Sequence, residues 1–185
     1  MVTWIILGLL VLLALYVIAL YNQLVRKRQM AEEGWSGIDV QLKRRADLIP
    51  NLLETVKGYA SHEREALEAV TEMRTRASGV ASGDVAGRAQ AEGMLSQALG
   101  RLFAVAEAYP DLKANENFQS LHNSLDEIED ALQMARRYYN GAVRALNVAV
   151  ESFPSNLIAN QFQFEQREYF EIEDAADRAV PQVSF

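Results

Sequence analysis

The stretch LKRRADLIPNLLETVKGYASHE, from Leu42 to Glu63, has apolar residues at helical spacing and a proline near its middle. A proline inside a helix costs about 3 kcal/mol, because it removes one hydrogen bond and its ring clashes with the preceding turn. Pro50 therefore predicts that the helix bends or restarts there. Asn51 and Glu54 have the spacing of a capping box, which favours a restart.

The apolar positions of this stretch belong to a longer stripe that steps by three and four residues. Its members are Trp35, Ile38, Leu42, Ile49, Leu52, Val56 and Tyr59, with Arg45 at one position of the seam. Such a stripe is typical of a helix that packs against a core or in a coiled coil. The same period starts near Leu24 and continues to Met73, which predicts one long helical region.

A stretch rich in Gly and Ser at residues 77–87 interrupts the helical period and is predicted to be a loop. A second helix is expected over about residues 88–108, where Met94, Leu95 and Leu99 begin an apolar face. The stretch AYPDLKANENF then breaks the period again.

A long third helix follows this break and is predicted to run to about Glu151. Asn115 or Asn117 is its expected N-cap, because asparagine side chains accept hydrogen bonds from the first backbone N–H groups of a helix. A short helix is expected around Pro154, a residue that suits a first turn. The last twenty residues are expected to be weakly structured, and no alternating strand pattern competes with the helical one.

The N-terminal stretch from Val2 to Leu20, VTWIILGLLVLLALYVIAL, contains no charged residue, and Thr3 is its one clearly polar side chain. A helix needs about 20 such residues to cross the hydrocarbon core of a bilayer. The alternative is a cleaved signal peptide. No basic residue precedes the run, the run is longer than a typical signal core, and no small-x-small cleavage site follows it. We therefore expect a retained anchor.

Basic residues follow the span at once and indicate its orientation. Arg26, Lys27 and Arg28 come directly after it, while nothing basic but the amino terminus precedes it. The positive-inside rule then places the amino terminus outside and the rest of the chain in the cytoplasm. Gly34 and Gly37 leave open whether the anchor continues unbroken into the next helix. The expected fold is all-α, with a single N-terminal transmembrane helix followed by an elongated antiparallel helical bundle with long helices.

Composition excludes several classes of function. The 185 residues include no cysteine, which excludes disulfides, thiolate nucleophiles and cysteine zinc sites. The net charge of −7 and the pI near 4.9 argue against a nucleic-acid partner. Neither His62 nor His122 belongs to a Glu-x-x-His or His-Glu-x-x-His motif, and no phosphate-binding loop is present. No catalytic residue, cofactor site or metal site is therefore predicted.

Polar residues that interrupt the helices form a series of blocks after the span. They are Tyr21-Asn22, Arg44-Arg45-x-Asp47-Leu48-Ile49-Pro50-Asn51-Leu52, Tyr59-Ala60-x-His62-Glu63, Tyr109-Pro110-Asp111-Leu112-Lys113-Ala114-Asn115, Asn117-Phe118-x-x-Leu121, Glu129, Arg136-x-x-Tyr139-Asn140, Asn147 and Phe153-Pro154. In this order they closely resemble the LemA family. The resemblance extends from the anchor to about Tyr169-Phe170-Glu171.

The resemblance implies a bacterial inner-membrane protein with a cytoplasmic helical domain, and it supplies no catalytic residues. It divides the chain into an anchor at 1–22, a LemA-like cytoplasmic helical bundle at 23–173 and a flexible tail at 174–185. The residues expected to have structural or interaction roles are Arg44, Arg45, Asp47, Pro50, Asn51, Tyr109, Pro110, Asn140, Asn147 and Pro154. Arg26, Lys27 and Arg28 are the expected juxtamembrane basic residues.

Within these blocks, Arg45 and Asp47 are expected to pair with polar groups on the long third helix, for example Glu129, Asn140 or Asn147. Asn140 and Asn147 are seven residues apart, which places them on one helix face, where buried asparagines fix register. We expect this polar set to be mainly structural. A contact with a partner or with a second copy is the functional alternative.

The leading hypothesis is a non-enzymatic scaffold that self-associates, contacts membrane lipid and organises or curves the bilayer. The family includes proteins associated with magnetosome membranes, and Lys43, Arg44 and Arg45 are expected near anionic lipid. The alternative is an adaptor that docks another membrane protein, such as a protease or an envelope-stress component, through residues 107–118. A third hypothesis, an unrecognised enzyme or metal protein, has no motif to support it.

Overall fold

A computed structural model describes residues 1–81 and 83–171 of the chain. Its helices are α1 (Val2–Tyr59), α2 (Arg64–Gly79), α3 (Val85–Ala106), α4 (Pro110–Lys113), α5 (Glu116–Glu151) and α6 (Ser155–Gln161). No strand occurs in the described ranges, so the predicted all-α class is confirmed. The predicted tail at 174–185 lies outside the described residues. The chain divides into two compact units, and α1 and α5 each contribute to both.

Unit 1 comprises Met1–Ile38 and Met134–Tyr169. In it the first part of α1 lies against the second part of α5, and two neighbouring pairs of residues show that the helices are antiparallel. A Cβ atom built on Gly34 would lie 2.9 Å from the Cα of Tyr139, and one built on Gly37 would lie 4.0 Å from the Cβ of Ala135. Gly34 therefore allows the two backbones to approach closely, and Tyr139 packs into that contact, buried.

The chain reverses at the end of α5, after a cis peptide bond between Phe153 and Pro154, and enters the short helix α6. Ala159 of α6 and Phe164 are buried against Leu24 of α1. The predicted short helix around Pro154 is therefore present, with Pro154 at the N-cap position.

Unit 2 comprises Asp39–Gln133 and, at the end of the described residues, Phe170 and Glu171. Its core includes Ile49, Leu52 and Val56 of α1, packed with apolar side chains of the other helices. These three residues belong to the predicted apolar stripe. Arg45, which occupies one position of that stripe, is buried as well. Tyr59 departs from the pattern, because 45% of it is exposed.

The expectation of a helix restart at Pro50 is wrong, because α1 continues through this residue to Tyr59. Asn51 therefore lies inside the helix, where its carbonyl accepts a hydrogen bond from the Thr55 hydroxyl, 2.8 Å away. Pro50 has no N–H to donate to the carbonyl of Ala46. Arg74 of α2 supplies the missing donor, since its Nε lies 2.8 Å from the Ala46 oxygen.

One further boundary differs from the prediction, and one question that the sequence left open has an answer. The continuous helical region ends at Tyr59, and α2 begins only at Arg64, because the chain turns at residues 60–63 while keeping an apolar period on both sides. The glycines at 34 and 37 do not interrupt α1, so the apolar segment and the following helix are continuous. Asn115 is confirmed as the N-cap of α5, since its Oδ1 accepts the N–H of Phe118 at 3.0 Å.

Candidate functional site

The apolar N-terminal part of α1 is exposed along its whole length. The 18-residue window of highest hydropathy in α1 has none of its residues buried, and the helix is long and apolar enough to cross a membrane. Trp4 and Tyr16 lie within the apolar run and Tyr21 directly after it, and all three are exposed. An exposed apolar surface of this length needs a lipid environment, which makes this segment a candidate transmembrane helix.

The juxtamembrane basic residues all lie on α1 in unit 1. Arg26 is exposed, and Lys27 and Arg28 are half-buried. The guanidinium of Arg28 lies 5.1 Å from the centre of the Phe164 ring, which is a cation–π distance. Arg28 therefore packs on the protein, while Arg26 faces outward.

The irregular segment at residues 162–169, here called the C-terminal strap, is held along unit 1 by hydrogen bonds. The amide of Asn147 engages both polar groups of one residue: its Nδ2 donates to the Arg167 carbonyl, and its Oδ1 accepts from the Arg167 N–H, both at 2.9 Å. The Tyr139 hydroxyl donates to the carbonyl of Glu168 at 2.9 Å. The strap is therefore fixed by side chains of α5 although it has no regular secondary structure.

Two further features support the strap. Arg167 pairs with Glu32 of α1 at 2.8 Å. Burial raises the pKa of the Tyr139 phenol, an effect that nearby Arg167 partly offsets. The phenol therefore stays protonated and able to donate at neutral pH. The prediction that Asn147 pairs with Arg45 or Asp47 is wrong, because its amide is engaged by the strap.

A buried ion network joins three helices of unit 2. Arg45 of α1 is 6% exposed and Glu92 of α3 is 2% exposed, so two charges lie in the protein interior. Arg45 Nη1 lies 3.4 Å from Glu129 of α5 and 3.9 Å from Glu92, and its Nη2 donates to Ser96 Oγ at 2.8 Å. The predicted pairing of Arg45 with Glu129 is therefore present.

Arg88 completes this network from the first turn of α3. Its Nε lies 3.3 Å from Glu92 Oε1, one helical turn later, and its Nη2 lies 3.9 Å from Asp39. Burial raises the pKa of the Glu92 carboxyl, and the charges of Arg45 and Arg88 oppose that rise. The network is only partly satisfied, because Arg45 Nη1, Arg88 Nε and Glu92 Oε2 are buried without a hydrogen-bond partner among the described residues.

The Tyr109–Asn115 block joins the turn at residues 60–63 to the start of α5. The Tyr109 hydroxyl donates to Glu63 Oε1 at 2.9 Å, and this hydrogen bond raises the pKa of the Tyr109 phenol. Pro110 occupies the first position of α4. Asn115 Nδ2 donates to the Tyr59 hydroxyl at 3.0 Å while its Oδ1 caps α5. These contacts hold the turn at residues 60–63 against α4 and the start of α5.

The remaining predicted residues are Arg44, Asp47 and Asn140. Arg44 is exposed and donates to Gln41 on its own helix. Asp47 is exposed and has no ion pair among the described residues. Asn140 is half-buried on α5 beside Tyr139. Arg45 is buried, so the expectation that it faces anionic lipid is wrong.

Several contributors were not predicted. Glu92, Ser96 and Arg88 form half of the ion network, and Arg74 compensates Pro50. The spacing Arg88-x-x-x-Glu92 is the one signal that could have indicated a pair, since residues four apart meet on a helix face. Among the residues that the structure describes, no group of three or more His, Asp or Glu side chains is placed to hold a metal ion.

Unit 2 also carries an open groove of about 780 Å³ between the end of α1 and α2. Leu53 and Leu67, both half-buried, line it together with the charged residues Lys57, Arg64 and Glu68. An apolar floor with a charged rim of both signs is suited to a peptide or helix rather than to a small polar substrate.

Comparison with known proteins shows consistent similarity over most of the chain. The LemA family model matches residues 34–185. The chain is 27% identical over 184 residues to magnetosome protein MamQ 2 of Paramagnetospirillum magneticum, covering 86% of this chain and 68% of that protein. It is 25% identical over 189 residues to magnetosome protein MamQ of Magnetospirillum gryphiswaldense, covering 88% and 70%. It is 25% identical over 140 residues to protein LemA of Metamycoplasma hominis, covering 76% and 64%.

Proposed function

Because this chain belongs to the LemA family, we propose that it is a non-enzymatic helical scaffold that is anchored in the bacterial inner membrane and self-associates there. The observation that carries the proposal is the continuity of α1: in unit 1 the exposed apolar segment and the helix that packs on α5 are one helix. A continuous helix holds the folded part at a fixed angle to the anchor, which a scaffold requires and a flexibly tethered enzyme does not.

The proposed orientation places the amino terminus outside the cell and the helical units in the cytoplasm. Support comes from Arg26, Lys27 and Arg28, which follow the span, while no basic side chain precedes it. These residues also make lipid the first partner, because each basic residue near an anionic leaflet is worth about 1 kcal/mol.

Self-association and shaping of the bilayer are the finer part of the proposal. Two relatives are named magnetosome proteins, which supports a role at a membrane for this family. In this chain, Met30, Met134 and Tyr138 leave apolar surface exposed on unit 1. Copies that are anchored in one membrane meet at high effective concentration, so modest contacts suffice for assembly.

The test is the mass of the full-length protein in mild detergent by light scattering, with electron microscopy of the same sample in vesicles. We expect a mass well above the 20.7 kDa of one chain after correction for detergent, and regular arrays or deformed vesicles. Met134→Glu should reduce the mass, while Arg144→Glu, at another exposed position of α5, is the control. A monomer on undeformed vesicles would refute self-association.

A second candidate is an adaptor that docks another membrane protein, and the groove between α1 and α2 favours it. Its floor of Leu53 and Leu67 offers apolar contact, and its rim offers charges to a partner helix. Cross-linking in cells through a single cysteine at Thr71, on the groove rim, tests it. A stoichiometric foreign protein that disappears in a Leu67→Glu variant would support docking, and recovery of nothing but the chain itself would count against it.

A further inference from the structure

The chain contains a second stretch without charge, far from the anchor in sequence. Residues 152–164, SFPSNLIANQFQF, form the reversal after α5, helix α6 and the start of the C-terminal strap, and none of their side chains is charged. We call this stretch the α6 turn. Charged residues make up 23% of the chain, so a run of this length without one calls for a physical reason.

The α6 turn lies beside the end of the apolar span, as the register of unit 1 shows. Tyr139 lies opposite Gly34, and both helices rise by the same distance per residue. Glu151, the last residue of α5, is 12 residues beyond Tyr139 and therefore lies opposite about residue 22 of α1. The ring of Tyr21 lies 4.9 Å from that of Phe162. The α6 turn therefore lies where α1 emerges from the hydrocarbon.

Three of the exposed side chains of the α6 turn are large and apolar, and the other four are polar but uncharged: Ser152, Asn160, Gln161 and Gln163. Phe153 is 79% exposed, Leu157 is 58% exposed and Phe162 is 52% exposed, with Tyr21 adjoining them. The opposite side of the turn is packed on the protein through Ala159. Exposed large apolar side chains that gather in one place normally mark a surface that something covers.

We propose that the α6 turn inserts into the boundary between headgroups and acyl chains of the same leaflet that the anchor leaves. Lipid is the occupant because the apolar side chains of the turn adjoin the exposed apolar segment of α1, where Phe162 meets Tyr21, and because no residue of the turn is charged. On α1 the uncharged stretch ends at Val25, and the basic cluster at residues 26–28 follows at the level expected for lipid phosphates. A second contact beside the anchor would fix how unit 1 stands on the bilayer.

This inference rests on the membrane location in the proposed function but not on self-association. Its test uses the absence of cysteine in the full-length chain, which allows a fluorophore to be placed at one position at a time. Phe153→Cys and Leu157→Cys probe the turn. Ser36→Cys is the control, because Ser36 is exposed on α1 about 14 residues beyond the turn's level and is not among the residues proposed for self-association.

The labelled chains are reconstituted into phosphatidylglycerol–phosphatidylcholine vesicles and quenched by aqueous iodide or by brominated lipid. Labels at 153 and 157 should be quenched by iodide about threefold less than the label at 36, and by brominated lipid about threefold more. Equal iodide quenching at all three positions would overturn the inference. So would protection from iodide without quenching by brominated lipid, because that result places a protein on the turn.

Release of the chain from the vesicles by an alkaline wash would refute the anchor itself, and with it both the proposed function and this inference. The two failures are distinguishable. If only the inference about the turn fails, the quenching results change as described above while the chain stays with the vesicles.

Discussion

Replacing Gly34 with alanine tests how closely α1 and α5 approach in unit 1. The new Cβ would lie 2.9 Å from the Cα of Tyr139 and 3.1 Å from Cδ1 of Tyr138, so the backbones must move apart. Overpacking of this kind costs about 1–3 kcal/mol. The same substitution at Gly37 is the control, because its Cβ would meet Ala135 at an ordinary contact distance of 4.0 Å.

Both substitutions gain the same helix propensity, roughly 1 kcal/mol for Gly to Ala in a helix interior. The difference between the two variants therefore isolates the cost of the close approach, for which we expect about 2 kcal/mol, the middle of the overpacking range. For a chain of this size that separates the thermal midpoints by about 4–8 °C, with Gly37→Ala above the unchanged protein.

The measurement is thermal unfolding of full-length protein in detergent, followed by the fluorescence of Trp35. This residue lies 5.6 Å from Tyr139, ring to ring, and is the single tryptophan in a Trp4→Phe background. Equal midpoints for the two glycine variants would show that α1 and α5 do not approach closely at Gly34, and the register of unit 1 would have to be abandoned.

Three further predictions concern the contacts of the two units. Arg45→Ala should lower the free energy of unfolding by about 3 kcal/mol, because it leaves buried Glu92 with one cation fewer. Arg44→Ala, at an exposed position, is the control and should change it by less than about 0.5 kcal/mol. The thermal midpoints of the two variants measure the difference. Asn147→Ala should speed amide hydrogen exchange in the strap by about tenfold or more, since a lost, partly buried hydrogen bond costs about 1–3 kcal/mol, and exposed Asn123→Ala should leave it unchanged. The pKa of Glu92 is raised in the folded state, so folding favours the protonated carboxyl. The stability that this preference contributes is full below about pH 4.5, the ordinary pKa, and is lost as the pH rises through the pKa of the folded state. Glu92→Gln should abolish this part of the dependence of the free energy of unfolding on pH, and identical pH profiles for the variant and the unchanged protein would contradict the prediction.

The long apolar segment at the start of α1 and the buried seam of α1 could be predicted because each depends on a local pattern. An uncharged run of membrane length has few alternatives, and a period of three and four residues identifies the buried face, including the position of Arg45. The cap at Asn115 followed from the same local chemistry.

The features that could not be predicted depend on contacts with residues far away in the sequence, which have no local sequence pattern. Pro50 predicts a defect in α1, but its compensation by Arg74 comes from another helix and involves a backbone carbonyl that every residue possesses. The strap is similar, because Asn147 binds the main chain of Arg167 and main-chain groups carry no sequence signal. The turn at residues 60–63 was missed because the apolar period resumes in phase beyond it.

For a chain anchored in the membrane as proposed, the unbroken course of α1 through unit 1 means that bilayer thickness sets how unit 1 is oriented. The 19 residues from Val2 to Leu20 span about 28 Å as a helix, close to a hydrocarbon core of about 30 Å. A helix tilts in a thinner bilayer and straightens in a thicker one. Because no hinge lies between residues 2 and 38, that tilt is passed on directly, and unit 1 must lean wherever the membrane thins.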